Sequence, residues 1–94
     1  MTHEARPTRF RPSPDTVAER LGDELVLVHM KTDRMFVLNG TGARIWEFIL
    51  AGHDVDEIQR RLRQEYEVAE AELAGGVNDL LESLRNEDLI GTDD

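Results

Sequence analysis

Apolar positions run together or alternate with polar ones over short stretches in the first half of the chain, and recur at helical spacing through the second half. Residues 17–21 have the pattern of a strand, and Gly22-Asp23 stands where a two-residue turn joins it to a second strand over residues 24–30. Within that second strand, Leu25-Val26-Leu27-Val28-His29-Met30 is apolar at nearly every position. Both faces therefore call for cover, one from helices and the other from the N-terminal arm or a second subunit, which suits the centre of a sheet. Lys31-Thr32-Asp33 makes a polar turn, and residues 34–38 return as the third strand of a meander, at the sheet edge. With a period of two, Phe36 and Leu38 point to one face, assigned to the core, and Met35 and Val37 point to the other.

Asn39-Gly40-Thr41-Gly42 turns this edge strand into a helix over about residues 42–51. Thr41 is placed to cap it, Ile45, Ile49 and either Trp46 or Phe48 face inward, and Gly52 is the stop. Asp54 with Glu57 three residues on predicts a capping box opening a second helix to about Tyr66, with Val55, Ile58, Leu62 and Tyr66 as its buried stripe. A third helix is expected over about residues 69–87 with two stripes. Leu73, Val77, Leu80 and Leu84 form the core stripe, and Ala74, Asn78, Leu81 and Arg85 lie on the adjoining face. Gly75-Gly76 inside it costs about 1 kcal/mol per glycine relative to alanine, which close approach of another backbone would explain and which fraying near the first turn explains as well. Leu89 and Ile90 fold back as a closing segment, and residues 91–94 read as an acidic tail. Residues 1–15 carry Pro7, Pro12 and Pro14 among Arg6, Arg9 and Arg11, and read as a flexible arm whose one large apolar residue, Phe10, is a loose strap or a partner contact.

The expected architecture is α+β and winged-helix-like: a three-stranded antiparallel sheet followed by three helices over residues 16–90. A chain of 94 residues suits one such domain with a modest core. Strands followed by helices in this order also describe a DNA-binding regulator, but charge argues against that role. The chain holds 20 acids against 11 bases, a net charge of -9, and residues 69–87 carry Glu70, Glu72, Asp79, Glu82 and Glu87 against Arg85 alone. Such a surface repels nucleic acid and anionic membrane, and basic partners fit it better. Arg60, Arg61 and Arg63 read as a solvated face paired with nearby acids rather than an anion site. No run approaches the length of a membrane span and the N-terminus lacks a signal-peptide core, so a cytoplasmic location is the default.

Chemistry is sparse. There is no cysteine, and His3, His29 and His53 are scattered without metal-ligand spacing, His29 reading as a strand residue with a satisfied ring. The glycines of Asn39-Gly40-Thr41-Gly42 lack the lysine and spacing of a phosphate loop. No enzyme, cofactor or metal is expected. The chain does have a strand of four chargeless apolar residues, Met35-Phe36-Val37-Leu38, at an undefended sheet edge, and such an edge pairs with another extended chain. Asn78, Leu81 and Arg85 on the second stripe of the third helix are expected to wall a groove beside it, the other reading of that stripe being a wide core face with polar margins. A few backbone hydrogen bonds of about 1 kcal/mol each do not cover an association cost of several kcal/mol, so side-chain pockets must add to them. Pairing of the edge with a second copy, giving a homodimer, is the competing use.

These residues resemble the PqqD-like proteins, recognition elements for ribosomally made, modified peptides. The resemblance rests on Glu24-Leu25-Val26-Leu27, on Phe36-Val37-Leu38-Asn39-Gly40-Thr41-Gly42-Ala43-Arg44-Ile45-Trp46, on Asp54-Val55-Asp56-Glu57-Ile58 and on the close over residues 80–90. The Leu-Asn-x-Thr-Gly-x-x-Ile-Trp element is its specific part. It implies a winged-helix fold, no catalysis, and capture of a precursor's leader peptide as an added strand against the third strand, with the third helix as the other wall. Carried onto this chain, the implied contacts are Arg34, Met35, Phe36, Val37 and Leu38 from the strand and Asn78, Leu81 and Arg85 from the helix. It further implies delivery of the leader to a separate modifying enzyme, a radical enzyme, cyclase or leader peptidase, by a freestanding protein. Two positions depart from the family pattern: Gly76 stands where Asp is common, and Asp88 where Gly is common.

Overall fold

A computed structural model describes residues 8–67 and 70–92 of the chain. The elements follow in the order β1 (Phe10–Pro12), β2 (Thr16–Leu21), β3 (Glu24–His29), β4 (Arg34–Asn39), α1 (Gly40–Leu50), α2 (Val55–Glu65), α3 (Glu70–Asn86) and β5 (Ile90–Thr92). An antiparallel sheet in the order β2-β3-β4 is followed by the helices, the α+β arrangement the residue pattern predicts. Gly22, at φ 65°, makes the first turn, and its left-handed backbone explains the glycine there. The register pairs Leu25 with Leu38 and Leu27 with Phe36 on the face toward the helices, and Val26 with Val37 and Val28 with Met35 on the outer face. Burial follows that alternation: Leu25, Leu27, His29 and Leu38 are buried, and Phe36 is half-buried against the core.

The helices bury Ala43, Ile45, Trp46, Phe48 and Ile49 from α1 and Ile58 and Leu62 from α2, so Trp46 and Phe48 both face inward. α1 begins two residues earlier than the pattern predicts. Its N-cap is Asn39, without a side-chain capping bond, so Thr41 lies inside the first turn and is not the cap. The capping box of α2 is present: the Glu57 N–H donates to Asp54 Oδ1 at 2.8 Å and the Asp54 N–H to Glu57 Oε1 at 3.2 Å. That backbone donor holds the Glu57 carboxyl below the usual carboxylate range. A surface ion network joins sheet to helices, since Arg20 of β2 meets Glu47, and Arg44 meets both Glu47 and Glu65 of α2. The Arg44 guanidinium also stacks 4.3 Å from the Phe48 ring centroid. Its hydrogen bonds raise the Arg44 pKa and lower that of Glu65.

Four further expectations need correction. The arm is structured over its described part: β1 pairs with β5, Val55 N donates to Thr8 O at 2.9 Å, and Phe10 is buried at 7% exposure in the core. A proline as the last residue of a short edge strand leaves room for this pairing, and one aromatic side chain supplies the apolar anchor. Residues 1–7 lie outside the described residues. Gly91 and Thr92 likewise belong to β5 and not to a tail, while residues 93–94 fall outside the description. Next, no backbone presses on the glycine pair of α3, since a Cβ at Gly75 or Gly76 would meet nothing within 4 Å. Finally, α3 is rotated from the predicted setting. It buries Leu73, Val77, Leu81 and Leu84 and leaves Leu80 half-buried, a turn of about 25° at 100° per residue.

Candidate functional site

β4 has one neighbour, β3, so the other side of its backbone takes part in no strand pairing among the described residues. The same holds for β2 at the opposite edge, and the side chains separate the two. β2 carries Glu19 and Arg20 in its length, charges that blunt an edge, whereas β4 confines its cation to the first residue, Arg34. Between Arg34 and Asn39 the edge offers Met35 and Val37, exposed on the outer face, then Phe36 half-buried and Leu38 buried on the inner face. An incoming strand would therefore find free N–H and C=O groups with apolar side chains above and below them.

α3 runs beside this edge. At one end a Cβ on Gly42 would lie 3.6 Å from Leu38 and 3.7 Å from Leu80 Cδ2, which brings these two leucines to the same spot. At the other end Arg34 Nη1 lies 3.0 Å from Glu87 Oε1, while the Arg34 guanidinium rests 5.5 Å from the Phe36 ring centroid. Leu80 and Glu87 are two helical turns apart, about 10.5 Å, and the four steps of strand from Arg34 to Leu38 span about 13 Å. Strand and helix are thus antiparallel neighbours of matched length. Their backbones scarcely approach each other, and the gap between them is the candidate slot, with Phe36 and Leu38 on its β4 side, Leu80 near Leu38 toward one end and the Arg34–Glu87 pair across the other.

The other helix residues expected at this slot stand elsewhere. Asn78, Leu81 and Arg85 line a cleft of about 710 Å³ on the far flank of α3, with Thr8 and Phe10 around β1, Val55 and Asp56 of α2, and Thr92 of β5. Leu81 is 3% exposed and belongs to the core. The cause is the rotation of α3: β1 and the start of α2 take up the Leu81 side, which turns the line Gly76, Leu80, Ser83 and Glu87 toward β4. The residue pattern did not place Leu80 and Glu87 beside the β4 edge. Leu73, Val77, Leu80 and Leu84 fit a helical stripe as well as Leu73, Val77, Leu81 and Leu84 do, so spacing alone does not choose between Leu80 and Leu81.

Behind the pinned end, His29 is 2% exposed, with Nε2 3.2 Å from Asp88 Oδ2 and Nδ1 accepting from the Lys31 N–H at 3.3 Å. The ring is satisfied, as expected of a strand histidine. Asp88 holds a left-handed φ of 59°. Among the described residues no group of three or more His, Asp or Glu is placed to hold a metal ion, and no helix is long and apolar enough to cross a membrane. The chemistry the slot supports is strand pairing with apolar contacts and one ion pair.

Comparison with known proteins bears on what fills such a slot. The sequence profile of Coenzyme PQQ synthesis protein D (PqqD) matches residues 24–90, well over half of the chain. The chain belongs to the PqqD family. Two solved structures share the fold of this PqqD-family protein. TbiB1 in complex with the TbiA(beta) leader peptide superposes with a TM-score of 0.82 at 32% identity, covering 89% of this chain and 99% of that one. Lasso peptide synthetase B1 complexed with its leader peptide gives 0.82 at 25% identity, covering 88% and 98%. No curated protein sequence matches the chain.

Proposed function

We propose that this PqqD-family protein is a peptide-recognition element that takes the leader of a ribosomally made precursor as a fourth strand on β4 and presents it to a separate modifying enzyme. The single observation that carries the reading is the apolar, unpaired edge of β4 facing Leu80 and Glu87 across an open slot. Support comes also from the two similar structures, both complexes with a leader peptide. Arg34, Met35, Phe36, Val37 and Leu38 remain the strand contacts of the proposal. Leu80 of α3 and Glu87, just past its end, replace Asn78, Leu81 and Arg85 as the contacts on the other side. In this reading the protein is non-catalytic and acts in the cytoplasm, where precursor and enzyme meet, and its net charge of -9 disfavours nucleic acid.

The test is a fluorescence-polarisation titration with labelled N-terminal segments of short precursor peptides sought in the neighbouring open reading frames, the TbiA(beta) leader serving as reference. Saturable binding, weakened at least tenfold by Val37→Asp and within twofold of wild type for Arg61→Ala, is expected. Equal effects of the two substitutions, or no binding of the cognate leader, would refute the reading.

A further inference from the structure

β3 is apolar on both faces, yet the structure covers one of them. Helix α1 packs over the inner face, and no described element is seen to pack on the outer face. There the register sets Val17, Val28 and Met35 in one row across the sheet and Glu19, Val26 and Val37 in the next, with Leu21 and Glu24 beyond. Val17, Leu21, Met35 and Val37 are 49%, 56%, 66% and 53% exposed, and they are four of the six large exposed apolar residues among those described. Three strands about 4.8 Å apart and six residues long at about 3.3 Å each present on the order of 300 Å². That is the size at which an apolar patch on a monomer marks an interaction site.

We propose that this outer face of the β2-β3-β4 sheet is the docking surface for the modifying enzyme, and that it receives an apolar patch rimmed by basic side chains. The inference rests on the reading of the chain as a presenter of leader peptides. Two observations select the occupant. Glu19 and Glu24 are the charged residues standing on this face. A second copy packed on it by two-fold symmetry would bring those carboxylates and two chains of net charge -9 together, whereas a basic rim complements them. The face is also continuous with the leader edge, because Met35 and Val37 belong to both. A stable interface needs about 500 Å² or more per partner. A fourth strand on β4 widens the sheet by about 4.8 Å, and its outward side chains extend the apolar surface toward that size. The enzyme therefore meets a face that leader capture enlarges.

The test uses the full chain, the leader that it binds in the titration above and a purified maturation enzyme (radical enzyme, cyclase or leader peptidase) sought in the neighbouring open reading frames. Methyl NMR spectra are expected to show Val17, Leu21, Val26 and Val28 signals broadened by the enzyme, while Leu62 and Leu73 in the helices are unaffected. Val17→Glu lies on β2, two strands from the leader edge, and is exposed enough to leave the fold intact. It is expected to weaken enzyme binding at least tenfold while leader affinity stays within twofold of wild type. Glu19→Lys is expected to weaken enzyme binding as well and to reduce its dependence on salt. Unchanged enzyme binding by Val17→Glu, or broadening confined to helical methyls, overturns the proposal. So does concentration-dependent broadening of the face without enzyme, which identifies a second copy as the occupant. Failure of the wild-type protein to bind leader is a different outcome, refuting the capture reading, and enzyme-induced broadening of the face without leader still decides the docking surface.

Discussion

Leu80 and Leu81 stand side by side in sequence and on opposite sides of the functional question, so a pair of substitutions tests the slot directly. Leu80 is half-buried and meets Leu38 at one end of the slot, and Leu81 is 3% exposed in the core. Full burial of a leucine is worth about 1.5–3 kcal/mol, and an incoming strand would cover only the remaining exposed part of Leu80. Leu80→Ala is therefore expected to remove about 1 kcal/mol of leader binding, roughly fivefold in Kd. Leu80→Glu adds the desolvation of a carboxylate beneath the peptide, bringing the loss to about 3 kcal/mol, on the order of a hundredfold. Leu81→Ala should do the reverse. It costs about 2–5 kcal/mol of stability through the cavity it leaves, and changes the affinity of the folded protein by less than about twofold. Polarisation titrations at a temperature where each variant is folded, together with denaturant midpoints, read both quantities. The reasoning is wrong if Leu81→Ala weakens binding as much as Leu80→Ala, or if Leu80→Glu binds the leader like wild type.

Other perturbations have equally definite outcomes. Asp54→Ala removes the acceptor for the Glu57 N–H and should cost about 1 kcal/mol, lowering Tm by roughly 4–8 °C in a domain of this size. Arg44 depresses the Glu65 pKa below the ordinary 4.5, so the stability from this pair is present at neutral pH and is lost as pH falls through the folded-state pKa. Denaturant melts between pH 3 and 7 should accordingly show a shallower acid limb in Glu65→Gln than in wild type. Asp88→Gly relieves a left-handed backbone by about 1 kcal/mol, but it strips the buried His29 of a partner at a cost of about 1–3 kcal/mol. A net loss of about 1 kcal/mol is expected, with Asp88→Asn within about 0.5 kcal/mol of wild type because it keeps both the acceptor and the tolerance for that backbone.

The strands and two of the helices were legible because local chemistry and global packing agree there. Gly22 occupies a left-handed turn, the alternation of β4 matches its burial, and Asp54 with Glu57 forms the capping box its spacing predicts. Illegible features depend on partners distant in sequence. Nothing local to residues 10–12 announces that Phe10 will be drawn into the core by β5, because that strand lies at the other end of the chain. The rotation of α3 is of the same kind. Its apolar positions allow two settings about 25° apart, and in the one found β1 and α2 stand on the Leu81 flank. Asn78, Leu81 and Arg85 therefore lie toward β1 and α2, while Leu80 and Glu87 lie toward β4.

The two departures from the family pattern bear on how the slot is held. Asp88 and Glu87 leave α3 in succession. Asp88 meets His29 at the end of β3, and Glu87 meets Arg34, the residue paired with His29 at the start of β4. Consecutive acids just past the helix thus meet consecutive strands of the sheet, which ties the end of α3 to β3 and β4. Among the described residues the other end has no such charged tie: Gly76 lies one turn before Leu80 with open space where a side chain would stand. An added strand is therefore met by a rigid, charged end beside Arg34 and an unobstructed one beyond Leu80. A glycine at 88 would free the backbone and lose one grip, and an aspartate at 76 would put a carboxylate into the open end. In the proposed capture, the combination found here would concentrate polar recognition at Arg34 and Glu87 and leave apolar contact with Phe36, Leu38 and Leu80 to set affinity along the rest of the slot.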